Sequence, residues 1–479
     1  MNNFKTVVGI EVHTVVNSRT KMFSGTTSTH NDPVNQNINE IDLGLPGTLP
    51  SVNDLVVKKA ICLAHALHMN IADVISFDRK NYFYRDLPKG YQITQFANPI
   101  GTEGYVEIEV EGKRKRIHIE RIHMEEDTAK QIKVDGRVLL DYNRCGMPLI
   151  EIVSKPDISS AQEAIAYLTQ LKRILTFCGE ISDAKMEDGS LRADVNISVN
   201  PYGSDKWGTR VEIKNINSIT NVGKAIDFEA KRQIGLYLQG KEVTPDTRRF
   251  DDAKGETIYM RNKQSVDYHY MPEGNILPFA LTNEMKQEAL RQAKYSLEDI
   301  IKSLHDMNLD PKLINLLLDD YPLYKACRKV FNATNDAQAT ITWITVELVG
   351  LLKKDNKTIE TVSNKKIDYI IDMIKILNEG KINAKQAKTI IAEIYRDELS
   401  PSEIIQKHNF KQITDETELS RMLTVIIDKN IQIVLKNKDR PERVEKMLLG
   451  QLMKETQGQA NPVIATKVLR AIMVTKKIG

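Results

Sequence analysis

The period of the hydrophobic pattern changes once along this chain, near residue 290, and this change limits the folds open to it. Before residue 290, segments such as GYVEIEV and LRADVNISV alternate apolar and polar residues, which is typical of β-strands with one buried face. After it, segments such as SLEDIIKSLHDM and DYIIDMIKILNEG carry apolar residues three and four apart, which is typical of α-helices. The pattern therefore predicts a strand-rich part followed by an all-helical part.

The strand-rich part also contains helices and turns, and this defines its class. SSAQEAIAYLTQLKRILTF has helical spacing, with Ser159 or Ser160 as its N-cap, while GLPGTLP and DLPKGY mark turns. We predict an α+β domain over residues 1–290, a helical domain over 291–400 and a small helical tail domain over 401–479. A length of 479 residues fits two or three domains at roughly 150 residues each.

Several protein classes are disfavoured by composition and motifs. The start, MNNFKTVVGIEVH, lacks the pattern of a signal peptide, and no segment reaches the roughly 18 apolar residues that cross a bilayer. The four cysteines are widely separated, so neither a CxxC metal pair nor a disulfide framework is indicated. We expect a cytoplasmic protein without a membrane partner.

Positive charge is concentrated in the last part of the chain. Residues 401–479 hold 14 Lys+Arg and 9 Asp+Glu, a net charge of +5, whereas the first 400 residues carry a net charge of −2. A basic appendage on a near-neutral body is typical of RNA binding, but a lysine-rich helical surface has the same composition. Both interpretations stay open on charge alone.

Acidic side chains recur on the predicted strands of the first domain. Glu11 and His13 are two apart in GIEVH and so share a strand face. In RIHMEEDTAK, Arg121–Lys130, the apolar phase shifts near residue 120, which predicts a bulge or a strand end. Spacing therefore leaves open whether Glu125 or Glu126 points into a site.

Two further strands carry polar stripes. SLRADVNIS places Arg192, Asp194 and Asn196 on one face, and TRVEIKNIN does the same with Glu212 and Lys214. A single stripe is usually the solvated face of a half-buried sheet, but several charged stripes in one domain favour a site. Carboxylates beside lysine and arginine suit Mg²⁺ and the phosphates of a nucleotide.

Familiar nucleotide-binding motifs are missing from the sequence. It contains neither GxxxxGK[ST] nor GxGxxG, and it has no GxSxG or recognisable catalytic cysteine motif. RKNYFYRDLPKGYQITQ, residues 79–95, interleaves basic and aromatic residues, as in sites that stack bases and pair phosphates. The edge of an aromatic core with solvated lysines is an equally good interpretation of this segment.

These segments together closely resemble the B subunit family of glutamine-dependent aspartyl/glutamyl-tRNA amidotransferases, GatB. The matching segments occur in the family's order over nearly the whole chain. They are GIEVH, DLGLPGTLPSVN, FDRKNYFYRDLPKGYQITQ, HMEEDTAK, NRCGMPLIEIVSKPD, KMEDGSLRADVNIS, EIKNINS, TRRFD and GQANP.

The resemblance implies a function and a set of partners. The chain is expected to be an ATP-dependent carbon–nitrogen ligase subunit that phosphorylates the side-chain carboxylate of misacylated Glu-tRNA(Gln), Asp-tRNA(Asn) or both. Ammonia from the amidase A subunit then gives the amide, in a heterotrimer with a small C subunit. It also implies a cradle-shaped catalytic domain with a mixed sheet, a helical domain and a tail that engages tRNA. The alternative is a free-standing ATP-dependent carboxylate–amine ligase acting on a small molecule.

The resemblance also suggests roles for individual residues, with ATP and Mg²⁺ as cofactors. Glu126 is preferred to Glu125 within the acidic pair. The expected catalytic residues are Glu11, His13, Glu126, Glu212 and Lys214. The expected metal ligands are Glu11, His13, Glu125, Glu126, Asp194, Asn196 and Glu212. The expected nucleotide-binding residues are Arg79, Lys80, Tyr82, Lys89, Tyr91, Gln92 and Arg192.

Two departures from the family pattern modify these expectations. Many relatives carry zinc-binding cysteine pairs after the first strand, whereas KMFSGTTSTHNDPVNQNINEID has no cysteine, so we expect no zinc. DYHYMPEGN replaces the usual DYRYFPEPD, with His269 in place of arginine. A contact of that arginine with tRNA or phosphate would be weaker here or dependent on His269.

Overall fold

The computed structural model describes most of the chain and divides it into two compact units. The described residues are 3–29, 32–204, 207–262, 268–293, 296–410, 413, 415–437, 440–456 and 458–476. The two units are Met1–Asn308 and Leu309–Gly479. The first contains all the strands of the described residues, and the second is helical, so the predicted change of character near residue 290 is confirmed.

The strands belong to one large sheet and three small ones. They are β1 (Phe4–Val15), β2 (Asn70–Ile71), β3 (Val74–Ile75), β4 (Asp78–Asn81), β5 (Tyr91–Thr94), β6 (Gly101–Val110), β7 (Lys113–Glu126), β8 (Lys130–Val134), β9 (Arg137–Asp141), β10 (Pro148–Ser154), β11 (Leu191–Pro201), β12 (Val211–Lys214), β13 (Asp246–Asp251), β14 (Glu256–Asn262), β15 (His269–Pro272) and β16 (Phe279–Ala280).

Helices of the described residues mostly begin at a capping side chain that accepts a backbone hydrogen bond. They are α1 (Glu40–Leu43), α2 (Asp54–Ala66), α3 (Ala161–Phe177), α4 (Ile219–Leu238), α5 (Asn283–Ala293), α6 (Leu297–Asp306), α7 (Pro311–Asp319), α8 (Tyr321–Thr334), α9 (Ala337–Thr340), α10 (Val349–Lys354), α11 (Asn364–Asn378), α12 (Ala384–Asp397), α13 (Pro401–Lys407), α14 (Glu416–Lys429), α15 (Ile431–Lys436), α16 (Pro441–Glu455) and α17 (Pro462–Thr475). Short 3₁₀ segments lie at Tyr142–Arg144 and Ile359–Thr361, and Ile341–Leu348 is π-helical.

The large sheet is mixed, as predicted. In the described part of the chain its strand order is β14-β13-β12-β11-β1-β10-β7-β6-β2. Only the β12–β13 pair is parallel, and every other neighbouring pair is antiparallel. The strands at the centre are therefore neighbours in space that lie far apart in sequence, which brings side chains from four segments of the chain together.

The two faces of this sheet differ in polarity because side chains alternate along each strand. On β1, Val8, Ile10 and Val12 are fully buried, and α2, α3 and α4 pack against the sheet. Ser160 rather than Ser159 caps α3, accepting a hydrogen bond from the backbone N–H of Glu163. With its apolar face covered by helices, the sheet leaves its polar stripes on the other face.

The predicted irregularity near residue 120 is confirmed as a bulge. The pairing of β10 with β7 shifts between Val153 and Ser154, so that Val153 lies opposite Arg121 while Ser154 lies opposite Ile119. The extra residue, Glu120, reverses the alternation that holds earlier in β7. Past this bulge, side chains at 121, 123 and 125 point to the polar face of the sheet.

The loop after β1 is held by a buried ion pair. Lys21 is fully buried, and its ammonium lies 3.1 Å from a carboxylate oxygen of Asp42. Ser24 donates a hydrogen bond of 2.7 Å to the other oxygen of Asp42. The zinc-binding cysteine pairs expected of many relatives would lie in this segment. That this chain binds no zinc there stays a prediction.

In the second unit, four helices form a compact core of their own. Side chains of α14, α15, α16 and α17 bury a common cluster that includes Leu419, Leu423, Leu448 and Leu469. This cluster supports a separate tail, but the predicted three-part division at residues 290 and 400 stays a prediction. In the described parts of the chain, every helix is too short or too polar to cross a membrane.

Candidate active site

The strand register places the predicted acids side by side on the polar face of the large sheet. Glu11 of β1 lies opposite Asp194 of β11, and Asn196 lies opposite Glu212 of β12. His13 follows two residues after Glu11 on the same face. Because directly opposed residues share a face, these five side chains occupy one continuous polar surface.

One group on this surface, the histidine–carboxylate cluster, consists of His13, Glu125 and Glu151. Nε2 of His13 lies 3.6 Å from a carboxylate oxygen of Glu125 and 3.4 Å from one of Glu151. On the same face, Nε2 of His123 lies 3.1 Å from Glu151, and Nδ1 of His123 has no hydrogen-bond partner within the described structure. His123 is 3% exposed and contacts the cluster through the carboxylate of Glu151.

The charges in this cluster depend strongly on one another. Burial lowers the pKa of His13, but the carboxylates of Glu151, Glu125 and Asp194 outweigh burial and raise it to about 9. Burial raises the pKa of Glu151, but the imidazoles of His13 and His123 outweigh it and hold that pKa well below its usual value. Without a metal ion, a protonated His13 therefore supplies the positive charge between the two glutamates.

The second group, the three-carboxylate cluster, consists of Glu11, Asp194 and Glu212. One oxygen from each lies within 4.8 Å of the others. Asn196 donates a hydrogen bond of 3.0 Å to Glu11, and the ammonium of Lys214 pairs with Asp194 and lies 3.5 Å from Glu212. Burial and the neighbouring carboxylates raise the pKa of Glu11, which is the expected result of crowding like charges.

Glu126 points away from both clusters, and this reverses the sequence-based preference for Glu126 over Glu125. Its carboxylate pairs with the ammonium of Lys89 and accepts a 2.9 Å hydrogen bond from the backbone N–H of Ile93. Gln92 donates a 2.7 Å hydrogen bond to the carbonyl oxygen of Glu126. The reason is strand alternation: once Glu125 faces the polar surface, its neighbour must face the small sheet behind.

The predicted nucleotide wall is split between two faces of the three-stranded sheet β15-β4-β5. Lys80 lies opposite Tyr270 in this sheet, and its ammonium sits 4.4 Å from the centre of the Tyr268 ring. Tyr82 meets the same ring edge-on at 5.4 Å. The carboxylates of Glu125 and others outweigh burial and raise the pKa of Lys80, so its charge acts on the histidine–carboxylate cluster.

The other members of this wall lie elsewhere. Arg79 and Tyr91 share the opposite face of the small sheet, where the Arg79 guanidinium lies 4.3 Å from the centre of the Tyr91 ring and forms a two-bonded pair with Glu273. His269 pairs with Asn81 and so belongs to that face as well, while Asp267 of the same segment lies outside the described residues. Lys89 and Gln92, as described above, contact Glu126.

Arg192 retains an open side toward the polar surface. Its guanidinium lies 3.1 Å from Asp127, yet its side chain remains 47% exposed. Asp127 also pairs with Arg144, and these two arginines outweigh burial and lower the pKa of Asp127. Arg192 is thus oriented by one buried carboxylate while part of its guanidinium stays free to meet an anion.

Two acids of this region were missed in the sequence, namely Glu151 and Asp127. Glu151 is the only charged residue of the strand PLIEIVS. A charge within an otherwise apolar, buried strand is itself unusual, and this local pattern marks Glu151 as a candidate site residue. Asp127 follows β7 directly, and spacing alone held no sign of its two arginine partners.

The donor atoms of both clusters fit a divalent cation. The three-carboxylate cluster offers only oxygen ligands, which Mg²⁺ prefers, and the histidine–carboxylate cluster adds one imidazole nitrogen. Carboxylates this close repel one another, and on the polar surface Lys214 and protonated His13 supply the compensating charge. A bound metal ion would supply that positive charge in their place.

Comparisons with known proteins match nearly the whole chain. A family model described as the GatB/GatE catalytic domain matches residues 6–287, and a second, described as a GatB domain, matches residues 326–473. A protein of Ureaplasma urealyticum serovar 10 is 48% identical over 99% of this chain and 100% of its own length. Relatives from Malacoplasma penetrans and Mesoplasma florum are 47% and 39% identical, each over 99% of this chain and at least 99% of their own length. All three are named as the B subunit of an aspartyl/glutamyl-tRNA(Asn/Gln) amidotransferase.

Proposed function

This chain belongs to the GatB family of aspartyl/glutamyl-tRNA(Asn/Gln) amidotransferase B subunits, and we propose from this premise that its polar sheet face activates a carboxylate with ATP. The substrate is the side-chain carboxylate of Glu-tRNA(Gln), Asp-tRNA(Asn) or both. The product is the corresponding amide, formed with ammonia. The observation that carries the proposal is the pair of adjoining carboxylate clusters on one sheet face, with Lys80, Arg192 and Lys214 around them.

The chemistry requires such a site because an unactivated carboxylate has no good leaving group. A carboxylate oxygen attacks the γ-phosphorus of ATP, the bond from that phosphorus to the bridging oxygen breaks, and ADP leaves. Ammonia then attacks the acyl carbon, inorganic phosphate leaves, and the nitrogen loses its extra proton to give the amide. Catalysis of the first step consists of positioning the groups and compensating charge.

In this proposal the two clusters would hold Mg²⁺, which would supply positive charge to the phosphate oxygens. His13, Glu125 and Glu151 would form one set of ligands, and Glu11, Asp194 and Glu212 would form the other. Lys80, Arg192 and Lys214 donate hydrogen bonds to the phosphates and to the oxygens of the transferred group. Tyr82 and the neighbouring tyrosines of the small sheet offer a stacking surface for the end of the acceptor strand.

The ammonia is proposed to come from partner subunits. The four cysteines of this chain are buried, so none is placed to act as a glutaminase nucleophile. An amidase A subunit and a small C subunit would complete a heterotrimer, and the basic residues after 400 would contact tRNA. A tRNA-dependent enzyme with these partners would act in the cytoplasm.

One comparison tests the function. The chain combined with its glutaminase partners should convert Glu-tRNA(Gln) or Asp-tRNA(Asn) to the amide only when ATP and Mg²⁺ are both present. Removing residues 401–479 should raise the KM for tRNA while leaving basal ATP turnover in place. Amidation of free glutamate at comparable efficiency would instead favour a ligase that acts on a small molecule.

A further inference from the structure

A polar cavity of about 300 Å³ lies in the helical unit, where the end of α10, the start of α11 and the end of α12 meet. A volume of this size is at the lower end of the range for small-ligand sites. Three cationic side chains and one carboxylate line it, which gives a net charge of +2. The polar residues of the lining are Asp355, Lys357, Thr361, Lys366, Tyr395 and Arg396. The excess of positive charge favours an anion as the occupant.

A buried tyrosine holds several of these groups in place. Tyr395 is 8% exposed, and its hydroxyl donates a 2.7 Å hydrogen bond to a carboxylate oxygen of Asp355. Its carbonyl oxygen accepts a 2.6 Å hydrogen bond from the ammonium of Lys366. The ammonium groups of Lys357 and Lys366 lie 5.8 and 5.7 Å from the centre of the Tyr395 ring. The two lysines are therefore gathered around one ring, and the carboxylate beside them is already engaged by a donor.

The three cations of the cavity differ from neighbouring basic residues in their partners. Lys329 of α8, Lys365 of α11 and Lys388 of α12 each lie within 4.0 Å of a carboxylate oxygen. Within the described part of the chain, no carboxylate oxygen lies that close to a charged nitrogen of the three cavity cations. Like charges that line one cavity repel one another, and no ion pair within the protein compensates them. A bound anion would supply that compensation.

We propose that this cavity binds a phosphate group, with Lys357, Lys366 and Arg396 donating hydrogen bonds to its oxygens. Ammonium and guanidinium groups form short, charge-assisted hydrogen bonds with phosphate. Lys366 has two N–H groups left after its bond to the carbonyl oxygen of Tyr395. A phosphodiester of an RNA backbone and a small phosphate compound both offer this chemistry. The site belongs to the helical unit, and it does not depend on the carboxylate activation proposed above.

Lysine acetylation followed by mass spectrometry tests whether an anion occupies this cavity. The full chain is labelled alone, with saturating unacylated tRNA(Gln), and with inorganic phosphate at the same ionic strength. Lys357 and Lys366 should lose most of their reactivity with the ligand that binds, whereas Lys365, which is 61% exposed and pairs with Glu398, should keep its own. Protection by tRNA assigns the phosphate to an RNA backbone, and protection by inorganic phosphate alone assigns it to a small compound. Protection by neither, or equal protection of Lys365, would overturn the proposal.

Two substitutions of opposite charge effect separate an anion site from a structural role. Lys357→Gln removes a positive charge and should raise the Kd for the protecting ligand about 3- to 5-fold. Asp355→Asn removes the negative charge, keeps an oxygen that accepts the hydrogen bond from Tyr395, and should lower that Kd. Both positions are exposed, so both variants should fold, and Lys365→Gln is the matched control with a smaller effect on Kd. If tRNA is the ligand, Lys357→Gln should also reduce the slope of log Kd against log salt by roughly 0.9.

These measurements need neither ATP nor partner subunits, so their outcome is independent of the amidation test. Opposite shifts of Kd in Lys357→Gln and Asp355→Asn would support the phosphate site. Shifts in the same direction would indicate that the two side chains only stabilise the fold, and this would overturn the proposal. An unchanged Kd in both variants would overturn it as well.

Discussion

Adjacent glutamates with opposite orientations should respond to the same substitution in opposite ways. Glu125→Gln removes one negative charge from the histidine–carboxylate cluster. Glu126→Gln leaves an oxygen that still accepts the hydrogen bond from Ile93, but it removes the charge that pairs with Lys89. The first change should affect catalysis more than stability, and the second should mainly destabilise the fold.

The magnitude follows from burial. The side chains of Lys89 and Glu126 are 6% and 3% exposed, so an unpaired Lys89 would be left as an uncompensated buried charge. Breaking a buried pair from one side costs about 3–5 kcal/mol. The long lysine side chain can shift toward solvent, so we expect a loss near the lower figure, roughly 3 kcal/mol for Glu126→Gln. For Glu125→Gln we expect a smaller loss, because Glu125, although also 3% exposed, shares its imidazole partners with Glu151, and removing one of two like charges relieves their repulsion. Metal affinity should fall about 100-fold or more, since even outer ligand partners contribute 10- to 100-fold.

Urea denaturation in the Trp343→Phe background measures the stability of the first unit, because Trp207 is then the only fluorescent tryptophan. Lys89→Met combined with Glu126→Gln removes both charges and should recover most of the stability that Glu126→Gln loses. The assignment fails if Glu126→Gln keeps full stability and loses amidation while Glu125→Gln retains it. That pattern would place Glu126 at the metal, as the family resemblance first suggested.

Three further results are expected. Because the pKa of His13 is raised to about 9, metal binding at neutral pH must displace its proton, and metal affinity should rise with pH up to about 9. Calorimetry in buffers of different ionisation enthalpy should detect this proton release, and the release should disappear in His13→Asn. Arg79→Ala leaves the fully buried Glu273 carboxylate unpaired and should lower the free energy of unfolding by roughly 2–4 kcal/mol, whereas Arg79→Ala with Glu273→Met should lose much less. Burial raises the pKa of Cys62 to about 11 and that of Cys145 to about 12. The thiols of the native chain should therefore resist iodoacetamide at pH 8 and react only on unfolding. Rapid labelling of the native chain would contradict their burial.

Several features of the site were readable in local patterns. Period-two alternation identified the strands and which residues share a face, so Glu11 with His13 and Asp194 with Asn196 were correctly grouped. The phase shift near residue 120 correctly predicted a bulge. These features are local, because they depend on neighbours two residues apart on one strand.

Other features depended on contacts between distant segments. The choice between Glu125 and Glu126 required the position of the bulge and the partner behind β7, which is Lys89 from another sheet. The split of the basic and aromatic segment, with Lys80 toward the clusters and Arg79 toward Glu273, required the orientation of the small sheet. Glu151 had one local signal, its charge in an apolar strand, but its role depends on its cross-strand neighbours, His13 and His123.

The sequence by itself determined the fold class, the strands and helices, the polar stripe on each strand and the family. The tertiary structure decided which stripes meet, because the pairing of β1 with β10 and β11 joins residues more than 130 positions apart. Periodicity records how a side chain is placed on its own strand and carries no information about which strand lies beside it. A site built across five strands therefore becomes visible only when the register of every pair is known.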